Sequence, residues 1–215
     1  MTDHRPITGP MPSPTTASRP TARSVAHEDT ALPLVWYGPL LEPSGYAEEG
    51  RALLLALERA GRPAIARETR SSSSLSAGAG GDQLQAVLQA CRRPLPRGEH
   101  VAVFHAVPRA GQPLVENAAN VARTMFETTS IPREWVPRLL EVDEVWVPCS
   151  FNLDTFERGG VPRERVRVLP ETIDFELFAP GHEPLPLPGR RGLAFLANFD
   201  FSDRKGWDVL LDAWV

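Results

Sequence analysis

Short apolar runs alternate with longer amphipathic segments between residues 32 and 169 of the chain. Proline, glycine or charged residues bound the apolar runs, as at 100–107, 144–147 and 165–169. Because strands that are joined by helical crossovers lie parallel, this alternation predicts an α/β fold, a doubly wound parallel sheet with right-handed crossovers. Ligands of such sheets bind beyond the carboxyl ends of the strands, so polar side chains there are the first candidates for function.

The same pattern predicts strands at 32–37 and 63–67, and one from Val121 that ends at the carboxylate of Glu127. Helices are predicted in between, each marked by a capping or helix-breaking residue. They are 46–60 after Ser44, one that Asp82 caps, one opened by Ser130 and Pro132, and one that Ser150 caps and Gly159 closes. The buried side chains expected on the last two are Trp135, Val136, Leu139 and Leu140, then Phe151 and Phe156.

Three segments lack this pattern. Residues 1–30 are rich in Pro, Thr, Ser and Ala and have few large apolar side chains, so they are predicted to be a disordered tail. Serines and glycines at 71–81 predict a flexible loop. The prolines and glycines of 179–191 predict a linker after a first domain at 31–178.

A second unit is predicted at 192–215, with a buried strand at 192–197 and a helix that begins at Lys205. One strand and one helix have nothing against which to bury their apolar faces. The expectation is therefore that the chain is a fragment, which contains the first strand and helix of a second α/β domain.

Composition narrows the class of partner. The net charge is −4, with 23 basic and 27 acidic residues interspersed, which argues against nucleic acid because phosphate binding needs a concentrated basic face. Cys91 and Cys149 are far apart, so neither a metal pair nor a disulfide framework is indicated. No apolar signal segment or run of about 20 apolar residues occurs, and a cytoplasmic location is expected.

Individual residues stand where a ligand would be expected, and each has a plain structural alternative. Glu127 closes a strand, but a strand-end carboxylate is more often simply solvated. His105 lies late in its strand and could be a satisfied core histidine. Gly45, in the loop after the first strand, could let a ligand approach the backbone or be an ordinary turn glycine. Arg204 and Lys205 precede a helix, as cations that bind a diphosphate do, or they form a solvated basic pair.

In its motifs the chain resembles the nucleotide-sugar-dependent glycosyltransferases of the large retaining group that has two facing Rossmann-like domains, the GT-B architecture. The likeness covers 100–215 well and 32–60 loosely. The matching residues, in order, are Thr124-Met-Phe-Glu127, Ile131-Pro-Arg-Glu-Trp-Val136, Val142-Asp-Glu-Val-Trp-Val-Pro148, Ser150-Phe-Asn152, Thr155-Phe156, Gly160-Val-Pro162, Val168-Leu-Pro-Glu171 and Arg204-Lys-Gly-Trp-Asp-Val-Leu-Leu211.

This resemblance implies transfer of a sugar from a nucleoside-diphosphate sugar to a hydroxyl acceptor, with retention at the anomeric carbon. Lys205 and Arg204 would contact the donor diphosphate together with Gly45, while Tyr46 and His105 would face the acceptor. Glu127 falls where many relatives place a histidine facing the transferred sugar, and it would act in catalysis. No metal and no resident cofactor is implied, since the nucleotide sugar is a co-substrate.

The acceptor class stays open between a glycan, a lipid and a small molecule, and weak peripheral contact with a membrane stays open with it. The chain by itself is expected to be inactive. Two other functions remain as alternatives: a related nucleotide-sugar epimerase, and a non-catalytic fragment that binds a glycan or a partner.

Overall fold

The computed structural model describes residues 31–69, 81–109, 111–175, 178–189, 191–199 and 201–214. The predicted tail at 1–30 and the loop at 71–80 lie outside these residues. The chain divides into two compact units after Thr172, and each is described by itself. The predicted domain limits at 31–178 and 192–215, with the linker between them, stay predictions.

The first unit is built on a six-stranded sheet in which every pair of neighbours is parallel. Its order is β2-β1-β3-β4-β5-β6, so the direction of winding reverses between β1 and β3. The strands are β1 (Leu34–Gly38), β2 (Ile65–Glu68), β3 (His100–His105), β4 (Ala118–Arg123), β5 (Glu144–Val147) and β6 (Val166–Val168). The predicted α/β fold, a doubly wound parallel sheet of Rossmann-like type, is confirmed for this unit.

One strand ends earlier than predicted. β4 begins at Ala118 and ends at Arg123, so Glu127 lies in the bend that follows and not at the strand end. Beyond Thr124 the backbone leaves the sheet, and side chains become the hydrogen-bond donors to its carbonyls. The Phe126 carbonyl accepts from Asn152, and the Thr128 carbonyl accepts from Thr155. Hydrogen bonds from these two side chains thus stand in place of the strand-to-strand hydrogen bonds that the sequence predicted up to Glu127.

Helices fill the predicted intervals. They are α1 (Gly45–Arg59), α2 (Gly81–Arg92), α3 (Val136–Glu141), α4 (Ser150–Arg158) and, in the second unit, α5 (Trp207–Trp214). Ser44 caps α1 as predicted, since its Oγ accepts a hydrogen bond from the Ala47 amide at 3.2 Å. Gly159 is the C-cap of α4 as predicted. Pro132 directly precedes the 3-10 turn at Arg133–Trp135 that leads into α3, but Ser130 does not cap this turn. Asp82 and Ser150 lie inside the first turn of their helices, so these two predicted caps are wrong.

The core has two layers, one on each face of the sheet. Successive strand residues point to opposite faces, so Val121 packs in the layer with α1 and α2, while Ala122 packs in the layer with α3 and α4. Trp135, Leu139 and Phe156 are buried as predicted. Leu140 and Phe151 are exposed, because each lies next to a buried helical position, Leu139 and Asn152 respectively, and a single helix turn cannot bury all of its faces.

The second unit corrects one prediction. Residues 193–199 have no regular secondary structure, and Leu193, Phe195 and Leu196 are exposed, so the predicted buried strand at 192–197 is wrong. A strand forms only where a neighbour takes its backbone hydrogen bonds, and the sheet does not include this segment. Among the described residues, no helix is long and apolar enough to cross a membrane.

Candidate functional site

Three ionisable side chains meet at the carboxyl edge of the sheet, beside the point where the winding reverses. His105 ends β3 and Arg123 ends β4, and the register pairs these two residues directly. Glu49 reaches them from the second turn of α1. His105 and Arg123 have no exposed surface, and Glu49 is 6% exposed. We call these three residues the buried triad.

Hydrogen bonds join the triad. The Arg123 guanidinium donates from Nε to Glu49 Oε1 at 2.8 Å and again from Nη2 to the same oxygen. Its Nη1 donates to the carbonyl of Leu169, after β6. The other Glu49 oxygen, Oε2, lies 3.1 Å from His105 Nε2. The Glu49 carboxylate therefore connects α1 to the ends of β3 and β4. Arg123 extends this connection to the residue that follows β6, the edge strand of the sheet.

The charge balance of the triad favours an ionised Glu49. Burial by itself raises the pKa of the Glu49 carboxyl, but the hydrogen bonds and charges of His105 and Arg123 outweigh it and lower this pKa. A buried guanidinium needs such a partner, because removing one member of a buried ion pair costs about 3–5 kcal/mol. The triad is thus a cluster of paired charges with a fixed position at the carboxyl edge of the sheet.

Gly50 lets α1 lie close to the triad. A Cβ at this position would come within 2.9 Å of Leu40 Cδ2 and 3.5 Å of His105 Nδ1. His105 Nδ1 and Trp36 Nε1 are both buried without a hydrogen-bond partner among the described residues. Their rings pack edge to face at 5.1 Å, which fixes the plane of the imidazole.

Tyr46 covers the histidine. Its ring lies 5.0 Å from the His105 ring, and its hydroxyl is 3.0 Å from Thr124 Oγ1. Burial raises the pKa of the Tyr46 phenol, and the nearby charges of Glu127 and Glu49 add to this, although hydrogen bonds oppose it. Tyr46 therefore stays a neutral phenol, which can donate or accept a hydrogen bond. A ligand at this edge would meet the half-buried Tyr46 before the fully buried His105.

Glu127 is exposed and lies close enough to Tyr46 for its charge to affect the phenol. Two side chains of α4 hold the segment that contains Glu127. Asn152 donates from Nδ2 to the Phe126 carbonyl at 2.5 Å, and Thr155 donates from Oγ1 to the Thr128 carbonyl at 3.1 Å. Both α4 residues are buried, so the loop that carries Glu127 has a defined position.

The loop between β1 and α1 is already occupied by an anion of the protein itself. Glu68 Oε2, at the end of β2, accepts hydrogen bonds from the amides of Leu40 at 2.8 Å and Leu41 at 3.0 Å. These amides stand where a Rossmann-like fold often binds a phosphate. Gly45 begins α1, is exposed, and has open space where a Cβ would be.

The predicted donor cations lie in the second unit. Arg204 and Lys205 are exposed and belong to a 3-10 turn at Asp203–Lys205. Gly206, at a φ of 66°, ends this turn before α5. The rings of Phe201 and Trp207 stack at 4.6 Å across it, which closes the turn that presents both cations.

The structure thus brings Tyr46, His105 and Glu127 to one edge of the first unit and adds residues that sequence reasoning missed. In the sequence, Glu49 is one of two adjacent glutamates near the start of a predicted helix, and Arg123 lies within the strand predicted from Val121. One signal was available for Arg123: a fully charged side chain inside a buried strand needs a buried partner. Nothing in the sequence named Glu49 as that partner.

The polar groups that a ligand could contact at this edge are the half-buried phenol of Tyr46 and the exposed carboxylate of Glu127, whereas the Thr124 hydroxyl is buried against Tyr46. Among the described residues, no group of three or more His, Cys, Asp or Glu side chains could hold a metal ion. Comparison of the chain with protein-family models, with curated proteins and with solved structures gave no match. What the structure shows is the fold, a Rossmann-like α/β unit.

Proposed function

We propose that the chain is the acceptor-side part of a retaining glycosyltransferase, which moves a sugar from a nucleoside-diphosphate sugar to a hydroxyl group. One observation carries the proposal. Three of the motifs behind the resemblance, at 124–127, 150–152 and 155–156, are joined by hydrogen bonds: Asn152 donates to the Phe126 carbonyl, and Thr155 donates to the carbonyl of Thr128, which follows Glu127. Residues that are separate in sequence thus serve one purpose, which is to hold a carboxylate near Tyr46.

The proposed chemistry follows from the charges that develop. When the glycosidic bond to the diphosphate breaks, negative charge grows on the leaving group and positive charge on the sugar ring. Lys205 and Arg204 neutralise the first. Glu127 stabilises the second. Tyr46 orients the acceptor hydroxyl, and His105 acts through Tyr46, because it has no exposed surface of its own.

The Glu68 contact supports the acceptor role of the first unit. Its carboxylate already binds the Leu40 and Leu41 amides, so a diphosphate would have to displace it or bind elsewhere. A neutral hydroxyl acceptor would not have to displace Glu68 from these amides. This favours a diphosphate site on the second unit, where Arg204 and Lys205 lie.

The experiment combines donors and acceptors with a purified protein in which this chain is joined to the donor-binding domain that the resemblance implies, because the chain by itself is expected to be inactive. UDP-, GDP-, ADP- and dTDP-sugars are incubated with panels of glycan, lipid and small-molecule alcohols, and products are measured by mass spectrometry. The expected result is an acceptor with one added sugar and an equal amount of nucleoside diphosphate. An isomerised nucleotide sugar formed without any acceptor would replace the proposal with epimerisation. Binding of a glycan with no turnover of any donor would replace it with a binding module.

Glu127→Ala is expected to lower turnover at least about tenfold, a loss of about 1.4 kcal/mol of transition-state stabilisation, because it removes the charge that faces the sugar. Glu134→Ala is the control, since Glu134 is also an exposed glutamate and its loss changes the net charge equally. Equal rates for both variants and the unchanged protein would remove Glu127 from the catalytic residues.

A further inference from the structure

A concave region lies on the opposite face of the sheet from the buried triad. It is a cleft of about 360 Å³ beyond the ends of β1, β2 and β3. Tyr37 follows Trp36 in β1, and Phe104 precedes His105 in β3. Trp36 and His105 face the layer that contains the triad, so Tyr37 and Phe104 point to the opposite face of the sheet. The size falls within the range of about 300–1,000 Å³ of small-molecule sites.

The cleft exists because one crossover of the sheet has no helix. The described residues between β3 and β4, 106–109 and 111–117, form turns and extended chain. A helix there would cover the ends of β1 and β3. The place left open is the one where the winding of the sheet reverses, which is where open α/β sheets bind their ligands.

The lining combines one cation with hydrogen-bonding groups and an apolar floor. Arg109 is the one charged residue among the described residues that line the cleft. It is exposed and forms no ion pair within the described part of the chain. Thr69 and Gln112 add a hydroxyl and an amide, and Ala106 and Val107 supply apolar surface.

Tyr37 gives the cleft a rigid wall. Its ring stacks on Phe104 at 5.2 Å with an angle of 18° between the planes. The guanidinium of Arg138 lies 5.4 Å from the centre of the Phe104 ring. A wall that is held in this way loses little freedom when a flat ligand packs against it, so less of the binding free energy is spent on ordering.

We propose that this cleft binds a small molecule that carries a ring and an oxyanion, either a phosphate or a carboxylate. The ring packs against Tyr37 and Val107, and the oxyanion pairs with Arg109, whose planar guanidinium matches both anions with two parallel hydrogen bonds. Gln112 and Thr69 bind the polar substituents. The inference does not depend on glycosyl transfer, because it uses neither the Glu127 edge nor the cations of the second unit.

The test uses a matched series of probes that share a phenyl or benzyl ring: phenyl phosphate, phenylacetate, benzyl alcohol and benzylamine. Binding to the full chain is followed by the shifts of backbone amide signals in nuclear magnetic resonance titrations. Saturable shifts at Thr69, Val107 and Gln112 are expected with phenyl phosphate or phenylacetate, and the tighter of the two identifies the anion. Weaker shifts are expected with benzyl alcohol, and weakest with benzylamine.

Arg109→Gln is expected to weaken anion binding at least about tenfold while benzyl alcohol binds unchanged, because only the charged contact is lost. Arg158→Gln is the matched control: it removes the same charge from an exposed position on α4. Val107→Trp fills the cleft and should abolish binding of every probe, which keeps the test decisive if Arg109→Gln does not fold. The proposal fails if neither anion gives saturable shifts up to about 10 mM, or if both arginine variants lose affinity equally.

Discussion

Replacing Glu49 by methionine leaves the Arg123 guanidinium buried, with the Leu169 carbonyl as its remaining hydrogen-bond partner among the described residues. It also leaves His105 Nε2 without an acceptor. The loss of one member of a buried ion pair costs about 3–5 kcal/mol. Domains have a free energy of unfolding of about 5–15 kcal/mol, so this variant should lose at least about a fifth of its stability.

The second arm of the experiment separates the charge from the packing. Adding Arg123→Met to Glu49→Met removes the uncompensated cation and puts an apolar side chain of comparable length in its place. Buried ion pairs can be replaced by apolar residues at little or no cost. The double variant is therefore expected to be more stable than Glu49→Met by about 2 kcal/mol, although it carries more substitutions.

Urea denaturation measures both variants. With a slope of about 1–3 kcal/mol per molar urea, a loss of 3–5 kcal/mol lowers the midpoint by at least about 1 M. Tryptophan fluorescence reports the first unit alone when Trp207 and Trp214 are replaced by phenylalanine in all samples. Glu134→Met, at an exposed position, is the control and should change stability by less than about 0.5 kcal/mol. If the double variant is less stable than Glu49→Met, the triad is not a charge-compensated unit and the reasoning is refuted.

Two further predictions concern the same edge. Because the pKa of Glu49 is lowered in the folded protein, its contribution to stability is fully present above the ordinary glutamate pKa of about 4.3 and is lost as the pH falls through the folded value. Urea midpoints measured below about pH 5 should thus fall more steeply for the unchanged protein than for the double variant with Arg123→Met, and parallel curves would contradict this. Asn152→Ala leaves the Phe126 carbonyl without its donor and should cost about 1–3 kcal/mol in urea midpoint measurements. Asn152→Asp should cost at least as much, since a carboxylate cannot donate to a carbonyl, and a smaller loss would argue against this hydrogen bond.

The strands could be predicted because each is a local pattern. β3 is a run of alternating valines that ends in a turn, and β5 is a short apolar run between charged and turn residues, so type and position follow from a few neighbouring residues. The cap of α1 is equally local, since Ser44 bonds to an amide only three residues along the chain. Local interactions of this kind need no knowledge of the tertiary fold.

The errors have a common cause. β4 was extended to Glu127 because the residues after Arg123 are apolar, yet Asn152 and Thr155 determine where that backbone goes. The strand expected at 192–197 is apolar as well, but no neighbour in the sheet completes it. In both cases a distant part of the chain supplies, or does not supply, the hydrogen bonds that decide the local structure.

By itself the sequence determined the class of fold, the parallel direction of the sheet, and the edge at which Tyr46 and His105 would lie, because these depend on the order of strands and helices. Only the tertiary structure decided that Glu49 and Arg123 form one buried ion pair across 74 positions of sequence. It also decided that Glu68 occupies the amides of the first loop. The physical reason is that a charge becomes structurally important only when water is removed from around it, and which side chains remove that water is a property of the folded chain.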